Sequence, residues 1–80
     1  MSTEILFFSS KTCGPCRNVK KNLNESLNQE LNIRMLDADN DINEFVQYQI
    51  MSVPTFVKLV DGKETNRKLG YRTIQELKDL

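Results

Sequence analysis

The sequence has no histidine and no tryptophan, and only two of its 80 residues are cysteines. The absence of histidine removes the side chain that most often acts as a general base or metal ligand near neutral pH. A structural zinc site takes four ligands, and two cysteines supply half of them. A second chain or unusual carboxylate ligation would have to complete the shell. Haem attachment needs a histidine directly after the second cysteine, where this chain has Arg17. We therefore expect no metal and no bound cofactor.

Long apolar runs and an excess of charge are also missing. No stretch approaches the ~20 apolar residues that span a bilayer. Eleven basic and eleven acidic residues cancel, so the net charge indicates neither a nucleic-acid nor a membrane partner. The first four residues include an acid, and the apolar run 5–8 is too short for a signal peptide. We expect a cytoplasmic protein, and 80 residues predict one small domain, 1–80.

The two cysteines, Cys13 and Cys16, are separated by two residues and follow the first apolar run. Behind them, apolar residues recur at helical spacing: Val19, Leu23, Leu27 and Leu31. Cys13 is therefore predicted where a strand ends and a helix begins. The unpaired N–H groups and the positive dipole end of a first helical turn favour a thiolate, and Pro15 suits that turn. The pattern predicts a nucleophilic Cys13 and an inward-facing Cys16.

A structural disulfide is the main alternative for this cysteine pair. In the chain-entropy model a four-residue loop contributes roughly 2 kcal/mol, below the value of about 3 kcal/mol for a 15-residue loop. So small a contribution is a weak reason for both cysteines to be present. In a cytosolic protein, a C-x-x-C pair is more often catalytic than structural.

Basic residues surround the cysteine pair, with no acid among them. They are Lys11, Arg17, Lys20 and Lys21, whereas Asp37, Asp39, Asp41 and Glu44 form a later acidic run. Charge runs are most often solvated faces. The functional alternative is that the basic residues favour the thiolate and steer acidic partners towards it.

The first half of the chain predicts a strand, a helix, a second strand and a second helix. The strand covers 4–9 and is buried on both faces, and the helix covers 13–30 with its leucine stripe in the core. Ile33, Met35 and Leu36 predict the second strand, parallel to the first across a right-handed crossover. The second helix is predicted to be capped by Asn40-Asp41 and to bury Ile42, Phe45 and Val46, with Tyr48 off that stripe.

The second half predicts a hairpin and a final helix. Residues 54–60 form a strand in which proline is acceptable only at the first position. Asp61-Gly62 is a hairpin signal, so 63–69 returns as a charged edge strand. Thr73 and Glu76 have capping-box spacing, with Ile74, Leu77 and Leu80 facing inward. The order is β-α-β-α-β-β-α, which closes most simply as a four-stranded mixed sheet with helices on its faces.

This order resembles the thioredoxin family, because Cys13-Gly14-Pro15-Cys16 follows the first strand and Val53-Pro54-Thr55 opens the third. The resemblance covers nearly the whole chain, and its length is similar to that of glutaredoxins or the compact thioredoxins of phages and archaea. It implies a minimal thioredoxin fold of class α/β, with strand order 2-1-3-4 and three flanking helices.

The resemblance also implies roles for individual residues. Cys13 would attack a disulfide and Cys16 would resolve the mixed disulfide, within an active-site loop that includes Thr12, Gly14 and Pro15. Pro54 would be a cis-proline beside the disulfide. With it, Val53, Thr55 and Gly70 would form the substrate groove, Val53 pairing its backbone with an extended segment. For Gly70 a plain strand-ending turn is an equally good explanation.

Three departures from the family pattern concern proton transfer. The family's buried aspartate is replaced by Phe7, its accompanying lysine by Met35, and the tryptophan before the first cysteine by Thr12. The family implies that the aspartate handles the proton of the resolving thiol. Without it, Cys16 must lose its proton to water or to the leaving Cys13 thiolate. We expect a slower resolving step than in a full-size thioredoxin.

The function that the resemblance implies is thioredoxin-type reduction of protein disulfides. Electrons would come from NADPH through a thioredoxin reductase, and ribonucleotide reductase would be a candidate partner of a monomeric protein. A glutathione-dependent glutaredoxin is one alternative, although that class has CPYC and a Gly-Gly turn followed by acids, which 69–73 lacks. The other alternative is a docking module that uses the groove around Cys13 and Pro54 with incidental redox activity.

Overall fold

The computed structural model describes residues 2–80, which form one four-stranded mixed sheet with helices on both faces. The elements are β1 (Thr3–Ser9), α1 (Gly14–Asn22), α2 (Glu25–Leu31), β2 (Ile33–Asp37), α3 (Ile42–Gln47), β3 (Thr55–Val60), β4 (Lys63–Leu69) and α4 (Ile74–Lys78). The strand order is β2-β1-β3-β4, with β1 parallel to β2 and the other pairs antiparallel. The predicted fold class and strand order are confirmed.

Strand β1 lies between β2 and β3, with both faces covered, and this position explains why its apolar run is continuous. Alternate residues of a strand point to opposite faces of the sheet. Ile5 and Phe7 therefore enter one apolar cluster, with Cys16 and Val19 of α1. Leu6 and Phe8 enter the cluster on the other face. A buried first strand thus fixes the loop that carries the cysteines.

The helix predicted over 13–30 is broken into two, so the described chain has four helices rather than three. Leu23 ends α1 with an extended backbone, φ −96° and ψ 135°. Asn24 then caps α2, because its Oδ1 accepts a hydrogen bond from the Leu27 N–H at 2.8 Å. Asparagine favours caps over helix interiors, since its side chain bonds to nearby backbone groups. The three stripe leucines are half-buried, and Leu23 and Leu31 pack against the core cluster that contains Cys16 and Val19. Only Cys16 and Val19 are fully buried in α1.

The buried face of α3 also differs from the prediction. Ile42 and Val46 are 59% and 71% exposed. Phe45 packs against the cluster that contains Phe8, as predicted, with its ring centroid 5.0 Å from that of Phe8. Tyr48, predicted to lie off the stripe, packs against the same cluster with its ring centroid 5.9 Å from that of Phe8. Six residues make fewer than two helical turns, so the apolar pattern left the orientation ambiguous.

The cap of α3 differs as well. Asp41 is the N-cap residue, but its side chain makes no capping bond. Its Oδ2 accepts a hydrogen bond from the Asp37 N–H at 2.8 Å and closes the loop after β2.

The C-terminal half follows the prediction closely. Asp61 and Gly62 have positive φ angles of 53° and 83°, as a tight hairpin turn requires. The β3–β4 register shifts between Lys58 and Leu59, an irregularity that the sequence did not indicate. Thr73 and Glu76 form both bonds of a capping box at α4, where Leu77 is buried. Within residues 2–80 no helix has the length and apolarity needed to cross a membrane.

Candidate active site

Cys13 and Cys16 form a disulfide at the point where β1 leads into α1, with their Cα atoms 5.2 Å apart. Cys13 precedes the helix as its N-cap residue and is half-buried. Cys16 lies in the first turn, faces the sheet and is 0% exposed. The two sulfurs of the bond therefore differ in access, and only the Cys13 side is open to a partner.

Backbone N–H groups of α1 bind Cys13 at its sulfur and at its carbonyl. The Cys16 N–H donates a hydrogen bond to Cys13 Sγ at 3.1 Å, which takes the place of an ordinary side-chain cap. The Cys13 carbonyl accepts from the Arg17 N–H at 3.2 Å. Pro15, in the same turn, has no N–H that would need a partner. A donor aimed at Sγ at the positive end of a helix stabilises the sulfur when it is anionic.

The loop before β3 lies at the same end of the sheet as the cysteine loop. Phe8 of β1 pairs with Thr55 of β3, and Thr55 pairs with Leu69 of β4. The Val53–Pro54 peptide bond is cis. Cys13 and Val53 pack against the same buried cluster. The fold therefore brings the two sequence motifs together at one end of the sheet.

Hydrogen bonds fix this loop to its neighbours. The Pro54 carbonyl accepts from the Gly70 N–H at 2.8 Å, so the turn after β4 is tied to the loop. Gly70 has a φ of +88°, which glycine adopts without strain. Thr55 is buried, and its Oγ1 donates to the Ser52 carbonyl at 2.7 Å. Thr12, Gly14 and Pro15 are exposed around the disulfide.

Aromatic side chains pack in the buried cluster behind the disulfide. Phe7 and Phe56 stack with ring centroids 4.8 Å apart and are 0% exposed, in the same cluster as Cys16. Met35 pairs with Phe7 across the sheet but is 40% exposed. Apart from Cys16, none of the buried residues among 2–80 has an ionisable side chain, since the buried polar residues are Ser9 and Thr55. Phe7 therefore occupies its position as a packing residue that cannot exchange a proton.

Arg67 makes a contact between β4 and the end of α3 that the sequence did not indicate. Its guanidinium donates two hydrogen bonds to the Glu64 carboxylate, at 2.8 and 2.9 Å, and a third to the Tyr48 carbonyl at 2.8 Å. The bond to Glu64 raises the pKa of Arg67. The contact joins Tyr48, the residue that ends α3, to β4. The charged composition of β4 predicted an exposed edge strand and gave no indication that Arg67 bonds to the Tyr48 carbonyl.

Neither a metal centre nor an enclosed cofactor site is evident in residues 2–80. No group of three or more cysteine or acidic side chains is placed to hold a metal ion there. An open, apolar groove is lined by Ile42, Phe45, Val46, Gln49, Ile50 and Met51. None of the residues predicted for the site lines it.

Comparison with known proteins gives a single family. The family model Thioredoxin matches residues 2–80. The chain is 28% identical to the thioredoxin of Bacillus subtilis (strain 168) over 76 residues, which cover 91% of this chain and 73% of that protein. It is 25% identical to a thioredoxin of Staphylococcus aureus over 80 residues, or 96% of this chain and 77% of that one.

Solved structures give the same result. The thioredoxin of Fasciola hepatica matches with a TM-score of 0.82 and 30% identity, over 96% of this chain and 75% of that chain. A reduced thioredoxin pre-protein from Schistosoma mansoni matches with a TM-score of 0.76 over 96% of this chain and 73% of that chain. At 23% identity, this second match supports the fold alone.

Proposed function

The chain belongs to the thioredoxin family, and from this we propose that it reduces protein disulfides through its Cys13-Gly14-Pro15-Cys16 dithiol. Family membership and the bonded cysteine pair make it a protein-disulfide oxidoreductase. The direction of the reaction, the role of each cysteine and the electron donor belong to the proposal. One observation carries it: the sulfur that accepts the backbone hydrogen bond is the accessible one, while its partner is buried.

The exchange begins with the reduced dithiol. The Cys13 thiolate attacks one sulfur of the substrate disulfide, the substrate S–S bond breaks, and the first substrate thiolate leaves and takes up a proton. Cys16 then loses its proton and attacks Cys13 Sγ. The bond between Cys13 and the substrate breaks, the second substrate thiolate leaves, and the Cys13–Cys16 disulfide forms. Two electrons have passed to the substrate.

Backbone groups of Val53 support the proposed groove for an extended substrate segment. Within residues 2–80, neither its N–H nor its carbonyl takes part in a hydrogen bond, and β3 begins only at Thr55. An extended segment satisfies such groups by adding itself to the sheet edge. Pro54, Thr55 and Gly70 would hold this edge in place through the bonds described above.

Recycling of the disulfide needs an external reductant. We propose NADPH through a thioredoxin reductase, with ribonucleotide reductase among the candidate partners. Glutathione is the alternative donor, as for a glutaredoxin. We further propose that residues 1–80 act as one domain and as a monomer in the cytoplasm, where a dithiol of this kind stays available in reduced form.

Insulin reduction tests the proposal. Oxidised protein is supplied with NADPH and thioredoxin reductase in one arm, and with NADPH, glutathione and glutathione reductase in the other. Turnover in the first arm only supports the proposal, and turnover in the second arm only assigns the protein to the glutaredoxins. The Cys13→Ser variant should be inactive in both arms. Inactivity of the intact protein in both arms, with the cysteines shown to be unmodified, would favour a docking module.

A further inference from the structure

Four basic side chains lie on one side of the disulfide, and we call them the basic stripe: Lys11, Arg17, Lys20 and Lys21. On a helix, residues four apart share a face. Arg17 and Lys21 therefore continue the line that starts at Cys13, and Lys20 lies seven residues beyond Cys13 on the same side. Lys11 lies in the preceding loop, where its carbonyl accepts a hydrogen bond from Arg17 Nη2 at 3.5 Å. The stripe thus runs from the accessible sulfur along α1.

No ion pair among residues 2–80 neutralises these charges. The ion pairs among residues 2–80 are Arg67–Glu64, Arg72–Glu76 and Lys78–Glu30. None of them includes a member of the stripe. Lys20 is half-buried along its stem, and the other three side chains are exposed. The four cations of the basic stripe are therefore available to a partner.

The acidic residues of the neighbouring loop differ in this respect, because they stabilise their own turn. Asp37 Oδ1 accepts from the Asp39 N–H at 2.7 Å, and Asp41 Oδ2 accepts from the Asp37 N–H at 2.8 Å. This loop touches β1, since the Ala38 N–H donates to the Ser9 carbonyl at 3.0 Å. The acids of this loop are thus engaged with their own backbone, whereas the members of the basic stripe form no ion pair within residues 2–80.

We propose that the basic stripe binds an acidic segment of the substrate, so that the protein prefers disulfides with aspartate or glutamate nearby. The inference rests on the proposed function and names its substrate class. The net charge is zero, so attraction depends on where the acids lie rather than on overall charge. Complementary charge at a rim sets partner choice and association rate.

The helix rise fixes where the acids should be. Arg17 is about 6 Å along the axis from Cys13, and Lys20 and Lys21 are about 11 Å from it. An extended chain advances roughly 3.3 Å per residue. The preferred acids should therefore lie about two to four residues from the attacked cysteine, on the side of the segment that lies over α1.

Matched peptides test this directly. Each contains one internal disulfide, and they differ only in three residues placed two to four positions from one cysteine, as Glu, Gln or Lys. A second set carries the changes on the other side of that cysteine. The measurement is the second-order rate constant for reduction by the reduced protein, at about 20 mM and about 500 mM salt, conditions that bracket a Debye length of ~10 Å.

The Glu peptide of one set should react at least about threefold faster than the Gln peptide at low salt, since each exposed charge pair contributes about 1.5-fold to fivefold. The Lys peptide should be slowest, and the Glu:Gln ratio should approach one at high salt. Equal rates for all three peptides in both sets would refute the inference and leave the proposed function intact. Failure to reduce any of them would refute both.

A pair of double variants separates placed charge from net charge. Lys20→Gln with Lys21→Gln removes two charges from the stripe, and the Glu:Gln ratio should fall about threefold. Arg34→Gln with Lys63→Gln removes two exposed charges elsewhere on the molecule, in β2 and at the start of β4. This control should keep the wild-type ratio. Equal losses in the two double variants would overturn the inference in favour of a net-charge effect.

Discussion

The difference in burial between the two cysteines predicts a large difference in their reactivity. Cys13→Ser leaves Cys16 as the only thiol, and Cys16→Ser leaves Cys13. Cys16 is 0% exposed, and α1 must lift from the sheet before a reagent reaches it. That opening also exposes Val19, which is 0% exposed in the same cluster. Burial of a side chain of this size contributes roughly 1.5–3 kcal/mol, so exposing both side chains costs at least about 3 kcal/mol.

A free energy of about 3 kcal/mol corresponds to a factor of about 100 in the population of the open form. With iodoacetamide and mass spectrometry, the native Cys13 thiol should therefore be alkylated at least about 100-fold faster than native Cys16. Each native rate is divided by the rate of the same variant in denaturant, which removes differences in intrinsic reactivity. Normalised rates within a few-fold of each other would refute the reasoning, because they would mean that Cys16 is accessible in the folded protein.

Other predictions concern stability, pH and the second chemical step. Hydrogen bonds from the Thr73 backbone and side chain lower the pKa of Glu76. This contribution to stability is fully present when the pH is above the unfolded-state pKa of glutamate, about 4.3, and it is lost as the pH falls through the folded-state pKa of Glu76. In urea unfolding at pH 7, the free energy of unfolding of the wild type should exceed that of Glu76→Gln, and the difference should vanish in acid. A difference that stays constant with pH would contradict this. Phe45→Ala should lower the free energy of unfolding by roughly 2 kcal/mol, less than for a fully buried phenylalanine because Phe45 is half-buried. Val46→Ala, at a 71% exposed residue, should lower it by less than about 0.5 kcal/mol. The opposite order would show that α3 is rotated. In stopped-flow traces, Cys16 should resolve the mixed disulfide more slowly than the second cysteine of a thioredoxin that has the buried aspartate, because Phe7 cannot accept the Cys16 proton. Equal rates would show that the replacement of the aspartate by Phe7 does not slow this step.

The parts of the fold that were predictable from the sequence are those with strong local signals. A continuous apolar run before a helical stripe identified β1 as the buried strand. The Asp61-Gly62 pair and the Thr73–Glu76 spacing each specify one backbone conformation, and both were confirmed. These signals need no knowledge of tertiary contacts, so sequence reasoning was sufficient.

The elements that were mispredicted depend on competition between local and tertiary terms. The apolar period continued through Leu23, but the capping bond of Asn24 outweighed one more turn of helix. At α3, the apolar spacing predicted a buried Val46 and left Tyr48 off the stripe, whereas Val46 is exposed and Tyr48, the C-cap residue, packs against the core. The rings of Phe8 and Phe45 determined which of them was buried. The Arg67 contact with the Tyr48 carbonyl joins residues 19 positions apart, and no local pattern indicated it.

For the candidate site, the two motifs were evident in the sequence, and the structure showed that they lie close together. The pairing of Phe8 with Thr55 brings the loop before β3 to the end of β1. The burial of Cys16 was predicted from its spacing to Val19 and is confirmed. Whether the cations near Cys13 pair within the chain depends on side-chain geometry, so their availability emerged only from the structure.

The central claim is that Cys13 attacks the substrate and Cys16 resolves the intermediate. It is tested most directly by incubating reduced Cys16→Ser and Cys13→Ser variants with a disulfide-containing protein such as insulin, and by mapping covalent adducts with non-reducing peptide mass spectrometry. The account predicts a stable mixed disulfide between Cys13 and the substrate in Cys16→Ser, and little or none in Cys13→Ser. An adduct that forms mainly at Cys16, or equally in the two variants, would contradict it.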